Sequence, residues 1–159
     1  MPERVGIAEA RIDRAPTILK AYALGSCIAV GLYDPEAGIG GMGHMLLPCR
    51  PAKKPFSPGS KYVDAGTFHM ADELVRAGAS RERLVAKITG GANMFETTGQ
   101  TLINSVGARN AKSARETLAA LGIPLLGEDV GGNRGRSVEF DLATGNMMVY
   151  CAHDERVSL

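Results

Sequence analysis

A cysteine and a histidine are the residues of this chain best suited to covalent chemistry. Cys27 follows Gly25-Ser26, where a turn enters an apolar strand, and His44 lies further along in the apolar segment Gly43-His44-Met45. An imidazole that accepts the thiol proton generates a thiolate, which is the nucleophilic form of cysteine. The pair therefore indicates nucleophilic catalysis, with Cys27 as the nucleophile and His44 as its general base.

The turn before Cys27 indicates how such a site would stabilise negative charge. A Gly-Ser turn at a strand end leaves backbone N–H groups outside the sheet ladder, where they remain available to other acceptors. Preorganised N–H groups of this kind form the oxyanion hole of acyl-transfer enzymes. We therefore expect the backbone N–H groups of Ser26 and Cys27 to hold the oxyanion.

Structural roles and a metal site are the alternatives for the same residues. A single cysteine or histidine on an apolar strand is more often part of the core than part of a catalytic pair. A zinc site built from Cys27, His44, Cys49 and Cys151 lacks the Cys-x-x-Cys and His-x-x-x-His spacings that zinc ligands usually show. Cys49 and Cys151 are therefore expected to be structural thiols, and no metal is expected.

The two strands that carry the candidate pair are predicted to lie side by side. Residues 28–32 alternate larger and smaller apolar side chains up to a turn at Asp34-Pro35, which is the pattern of a strand. Residues 39–47 are apolar and rich in glycine and methionine, and they follow that turn. An antiparallel hairpin of the two strands would bring Cys27 and His44 close together in space.

The rest of the chain predicts a small α+β domain. Helical periodicity marks residues 61–77 and a segment after Asn110 that ends at Gly122. Short strands are predicted at residues 5–7, 17–19, 84–89, 124–129, 138–142 and 147–151, and a proline-rich loop at residues 50–60 forms a candidate rim. Together these elements predict one α+β domain over residues 1–159, with a mixed, largely antiparallel sheet system and helices packed outside it.

Composition limits the compartment and the classes of partner. The chain has 159 residues, 45% of them hydrophobic, and a net charge of +1, so nothing in it calls for nucleic acid or an anionic membrane as a partner. No apolar run reaches the roughly 18–20 residues of a membrane span. Three cysteines without regular spacing argue against a disulfide framework and favour a reducing cytoplasm. The glycine-rich stretches at residues 90–93 and 131–136 match neither a P-loop nor a dinucleotide fingerprint, so no cofactor is expected.

Six motifs in one order give the chain a resemblance to a known family. They are residues 24–27, 43–48, 61–64, 90–95, 107–110 and 128–139. On these motifs the chain resembles the CheD family of chemoreceptor glutamine deamidases. The resemblance implies a sandwich fold related to the cysteine deamidase toxins, and hydrolysis of receptor glutamine side chains to glutamate without a cofactor. It also implies two kinds of partner, the cytoplasmic helices of chemoreceptors and the phosphatase CheC.

One position departs from the pattern of that family. The family's catalytic triad usually includes a threonine where this chain has Ala21, and alanine has no side-chain group that could hydrogen-bond to an imidazole. The third triad position is therefore unassigned, so either another group orients His44 or the enzyme is slow. The departure leaves an alternative function open, in which the chain is a module that binds receptors or CheC and catalyses the reaction poorly. A thiol peptidase is a further alternative.

Overall fold

The computed structural model describes residues 2–53, 60–94, 105–151 and 155–159. Within these ranges the chain forms ten β-strands, two α-helices and a short 3-10 helix at Arg81–Arg83. The strands are β1 (Pro2–Arg4), β2 (Ala10–Arg14), β3 (Ile18–Leu24), β4 (Ile28–Asp34), β5 (Ile39–Met45), β6 (Val85–Gly90), β7 (Leu125–Val130), β8 (Arg136–Asp141), β9 (Met147–Cys151) and β10 (Arg156–Ser158). The helices are α1 (Val63–Arg76) and α2 (Val106–Leu121).

The strands form two five-stranded sheets that pack face to face. The first sheet has the order β1-β3-β8-β9-β10, and the second has the order β2-β5-β4-β6-β7. The pairs β1–β3 and β6–β7 are parallel, and the other pairs are antiparallel. Both helices pack on the outer face of the second sheet. The predicted α+β class, a mixed β-sandwich with flanking helices, is confirmed.

The central strand β4 shows why the chain forms three layers. All seven of its residues are buried, because the strand has hydrophobic neighbours on both faces. Its larger aliphatic side chains face the helices, whereas Ala29 and Tyr33 face the first sheet. Gly31 shares that second face, and a Cβ at this position would meet the side chain of Met147. Small side chains on this face therefore let the two sheets approach closely.

The predicted hairpin is confirmed. Strands β4 and β5 pair antiparallel, with Asp34 opposite Ile39. The Asp34 carboxylate accepts hydrogen bonds from the backbone N–H groups of Glu36 and Ala37, which fixes the turn. The same buried carboxylate pairs with Arg83 at 3.0 Å. The turn that sets the register of the hairpin is thus held by an ion pair to the 3-10 helix that precedes β6.

The predicted strand at residues 5–7 is wrong. Val5 follows β1 and is buried, but Ile7 lies in a turn with its side chain 60% exposed. The Glu9 carboxylate accepts a hydrogen bond from the Gly6 N–H and stabilises that turn. The sequence interpretation also missed β1, β2 and β10, which lie at sheet edges and are largely polar.

The predicted start of the second helix is also wrong. Helix α2 begins at Val106, because the Ser105 hydroxyl accepts a hydrogen bond from the Ala108 N–H and caps the helix there. Asn110 therefore lies inside the helix, and not before it. The predicted end is confirmed, since Gly122 terminates the helix with a φ of +70°.

Parts of two predicted features lie outside the described residues. They are residues 54–59 of the candidate rim loop and Phe95 of the motif at residues 90–95. Within the described ranges, no helix is both long enough and apolar enough to span a membrane.

Candidate active site

Cys27 lies at the point where the chain passes from one sheet to the other. Strand β3 belongs to the first sheet and β4 to the second, and only Gly25, Ser26 and Cys27 connect them. The end of β3 is irregular, with a register shift between Ala21 and Leu24. This irregularity turns the chain out of the first sheet. The thiol is half-buried at the edge of the core between the sheets.

The register of the hairpin brings His44 to the same place. His44 pairs with Ala29, and Cys27 lies two residues before Ala29 on the same face of the second sheet. Cys27 and His44 are thus diagonal cross-strand neighbours, whose Cα atoms are usually about 7–8 Å apart and whose longer side chains reach each other. The structure therefore sets His44 on the strand that pairs with β4, directly beside the residues that follow Cys27.

The environment of His44 keeps its imidazole neutral. The residue is 1% exposed, and burial lowers its pKa. The backbone carbonyl of Val5 raises the same pKa. The charge of Arg4 lowers it and the charge of Glu9 raises it, and both effects are smaller. Neither ring nitrogen has a well-formed hydrogen bond with any described residue. A neutral ring with an available nitrogen is the form that a general base requires.

The environment of Cys27 keeps its thiol protonated. Burial raises the pKa of the thiol, and the backbone N–H of Cys27 itself partly offsets that rise. The two shifts together favour a resting pair of neutral thiol and neutral imidazole. The expected thiolate would then form during attack, when the proton moves to His44, and not beforehand.

The backbone of the turn is oriented by its contacts with the end of β6. The Gly91 N–H donates to the Cys27 carbonyl at 2.8 Å, and the Ala92 N–H donates to the Gly25 carbonyl at 2.9 Å. Among the backbone hydrogen bonds of the described turns and loops, none is donated by Ser26 or Cys27. The described backbone contacts thus occupy the carbonyl groups of Gly25 and Cys27 and leave the N–H groups of Ser26 and Cys27 open, apart from the effect of the Cys27 N–H on its own thiol.

Position 21 lies in the core between the sheets. Ala21 is fully buried and pairs with Val138 in the first sheet. The parallel pairing of Arg4 with Lys20 places Val5 beside Ala21, and the Val5 N–H donates to the Lys20 carbonyl at 2.7 Å. Val5, which lies beside Ala21, thus carries the backbone carbonyl that raises the pKa of His44.

A polar helix residue joins the site, although no chemical role was predicted for it. The Asn110 side chain is fully buried and donates from Nδ2 to the carbonyl oxygens of Ser26 and Leu46, at 2.8 and 2.9 Å. Its position three residues before Ser113 and four before Ala114 places it on the buried face of α2. An amide side chain among the small and apolar residues of this helix face is the sequence signal that could have identified it.

The other cysteines lie in different surroundings. Cys49 is exposed, with its sulfur 3.9 Å from the Ser113 hydroxyl, and Cys151 ends β9 opposite Arg136. The part of the chain that the structure describes holds no group of three or more histidine, cysteine, aspartate or glutamate side chains arranged to bind a metal ion. The zinc alternative gains no support from this arrangement.

Comparison with known proteins gives a consistent answer. A family model described as CheD chemotactic sensory transduction matches residues 46–151. The chain is 45% identical to a probable chemoreceptor glutamine deamidase CheD 2 from Geobacter metallireducens, over 91% of this chain and 90% of that protein. It is 42% identical to a probable chemoreceptor glutamine deamidase CheD from Desulfitobacterium hafniense, over 96% of each chain. It is 43% identical to the chemoreceptor glutamine deamidase CheD of Thermotoga maritima, over 94% of this chain and 91% of that protein.

Proposed function

Since the chain belongs to the CheD family and is a protein-glutamine deamidase of chemoreceptors, we propose that Cys27 and His44 perform this hydrolysis as nucleophile and general base. The observation that supports the proposal is the hairpin register, which pairs His44 with Ala29, two residues after Cys27. Burial lowers the pKa of His44 and raises the pKa of Cys27, and both directions support the same assignment of roles.

The proposed first step forms a thioester. His44 accepts the Cys27 proton as the sulfur attacks the side-chain carbonyl carbon of a receptor glutamine, which forms a C–S bond. The backbone N–H groups of Ser26 and Cys27 donate to the resulting oxyanion. The tetrahedral intermediate then breaks its C–N bond, and the protonated His44 gives its proton to the departing ammonia.

The proposed second step releases glutamate. His44 takes a proton from a water molecule, whose oxygen attacks the thioester carbonyl carbon and forms the new C–O bond. The C–S bond breaks, and His44 returns the proton to the Cys27 sulfur. The net change is hydrolysis of an amide to a carboxylic acid and ammonia, which requires no change in oxidation state, and the acid then loses its proton to solvent.

The backbone carbonyl of Val5 is our proposal for the group that orients His44 in place of a side chain at position 21. Two hydrogen bonds hold this segment against the histidine's own backbone: the Ala8 N–H donates to the His44 carbonyl, and the His44 N–H donates to the Glu9 carbonyl, both at 2.9 Å. The Val5 carbonyl raises the pKa of His44, as an acceptor beside the ring does. Acceptance from one ring nitrogen during the reaction would fix the tautomer and leave the other nitrogen free to act as base.

The substrate implies a large protein partner at this site. Met94 is 53% exposed and packs over Gly25, beside the candidate nucleophile, so an apolar contact is available to a receptor helix. We propose the cytoplasmic helices of chemoreceptors as the substrate surface, the phosphatase CheC as a second partner, and the cytoplasm as the compartment. Residues 1–159 would act as one deamidase domain.

Mass spectrometry of a receptor cytoplasmic fragment tests the proposal. Incubation with the protein should convert specific glutamines to glutamates. Cys27→Ala should abolish the conversion without unfolding the protein, whereas the matched variants Cys49→Ala and Cys151→Ser should remain active. Full activity in Cys27→Ala would show that another residue is the nucleophile. If the wild-type protein binds the fragment but leaves every glutamine unchanged, the binding-module alternative is favoured.

A further inference from the structure

Asn110 makes contacts that link the two strands of the candidate site. From the first turns of α2, one amide nitrogen donates to the Ser26 carbonyl, just before Cys27, and to the Leu46 carbonyl, just after β5. Because the side chain is fully buried, water cannot replace either bond. One side chain thus holds together the segment that carries the nucleophile and the strand that carries His44.

The orientation of the Asn110 amide is fixed by its acceptors. Rotation of the amide by 180° would place Oδ1 against two carbonyl oxygens, so the nitrogen must face them. The opposite end has no partner, since Oδ1 is buried and unbonded among the described residues. A buried acceptor without a donor costs stability, which is unexpected for a residue that serves only the core.

The bond to Ser26 also orients an N–H group of the site. The Ser26 carbonyl and the Cys27 N–H belong to one planar trans peptide unit, so they point in opposite directions. A donor that fixes the carbonyl on the α2 side therefore directs the Cys27 N–H away from the helix. A hydrogen bond to the carbonyl also polarises the peptide unit and strengthens its N–H as a donor.

We propose that Asn110 is a positioning residue for the deamidation: it holds the Ser26–Cys27 peptide so that the Cys27 N–H faces the oxyanion, and it ties that peptide to the end of β5. The proposal rests on the proposed function of Cys27 and His44. The stabilised group is the negatively charged oxygen of the tetrahedral intermediate, so loss of Asn110 should affect kcat more than KM.

The helix offers a matched control one turn further on. Ser113 is also buried on α2, and its hydroxyl donates to the Pro48 carbonyl at 2.6 Å. It therefore fastens the same helix to the segment after β5, but its described contacts do not include the Ser26–Cys27 peptide. Ser113→Ala removes a comparable structural bond without releasing the candidate oxyanion group.

Steady-state kinetics on a receptor cytoplasmic fragment, with thermal unfolding measured in parallel, test the proposal. Asn110→Ala should lower kcat by about 10²-fold, the usual scale for a displaced catalytic group, with a smaller change in KM. Ser113→Ala should lose stability but keep its kcat within a few-fold of wild type. Wild-type kcat in folded Asn110→Ala, or an equal loss of kcat in Ser113→Ala, would overturn the proposal.

Asn110→Asp covers the case in which the alanine variant does not fold. This change keeps the shape of the side chain but leaves a donor only when the carboxyl group is protonated. The ratio of its kcat to that of wild type should therefore rise as the pH falls, and a ratio independent of pH would count against the proposal. Cys27→Ala tests the proposed function separately. Activity in Cys27→Ala refutes the nucleophile. An inactive Cys27→Ala together with an Asn110→Asp whose kcat ratio to wild type is independent of pH refutes only the positioning role.

Discussion

A methyl group at Gly90 should impair catalysis strongly in a protein that still folds. Gly90 ends β6 with a φ of +111°, and an added Cβ would overlap the carbonyl oxygen of Cys27. That oxygen already accepts a hydrogen bond from the Gly91 N–H. Gly90→Ala therefore forces the Cys27 backbone to move, because the opposing atoms belong to the main chain and not to a flexible side chain.

The magnitude has two parts. Holding alanine in this backbone conformation costs of the order of 1–3 kcal/mol, which a domain with about 5–15 kcal/mol of stability can absorb. A shift of roughly 1 Å at the nucleophile lowers the rate on the order of 10²-fold, equivalent to about 2.7 kcal/mol of transition-state stabilisation. We therefore expect a folded variant with a kcat about a hundredfold below that of wild type.

Gly122→Ala separates backbone strain from displacement of the nucleophile. Gly122 also has a positive φ, +70°, but an added Cβ there would meet nothing within 4 Å. Both variants should lose stability in thermal unfolding, and only Gly90→Ala should lose deamidation of a receptor fragment. Wild-type kcat in folded Gly90→Ala would refute the reasoning, as would an equal loss of kcat in Gly122→Ala.

Two further predictions concern the ionisable pair and its orientation. Burial lowers the pKa of His44, so kcat/KM should fall at acid pH only below the usual imidazole pKa of about 6.5. Burial raises the pKa of Cys27, so iodoacetamide labelling of this thiol should increase with pH and have its midpoint above the usual thiol pKa of about 8.5. A labelling midpoint well below that value would indicate a preformed thiolate and contradict the neutral resting pair. Ala21→Thr should change kcat less than tenfold if the Val5 carbonyl already orients His44. A rise of tenfold or more, worth about 1.4 kcal/mol, would show that the imidazole is poorly oriented in the native protein.

The hairpin and the candidate pair could be predicted because their signals are local. The alternation in β4, the turn at Asp34 and the apolar β5 specify a register within eighteen consecutive residues, Ile28 to Met45. That register determines which side chains share a face, so the proximity of Cys27 and His44 follows from it.

The missed features depend on contacts between distant parts of the chain. Strand β2 is polar because it lies at an edge, and its pairing partner β5 is what makes it a strand. The segment around Val5 has the composition of a strand, yet its tertiary position next to β3 and His44 decides its conformation. The bonds of Asn110 join residues more than sixty positions apart, which no local pattern indicates.

The place of Cys27 between the two sheets has a consequence for how the protein loses activity on heating. Many enzymes carry their nucleophile on an element that can open alone, so inactivation precedes global unfolding. Here the turn of Gly25, Ser26 and Cys27 is continuous with β3 in one sheet and β4 in the other. Separation of the two sheets would displace the thiol. We therefore expect the loss of activity and the cooperative unfolding of the sandwich to form a single thermal transition, in which residual activity measures the fraction of intact molecules.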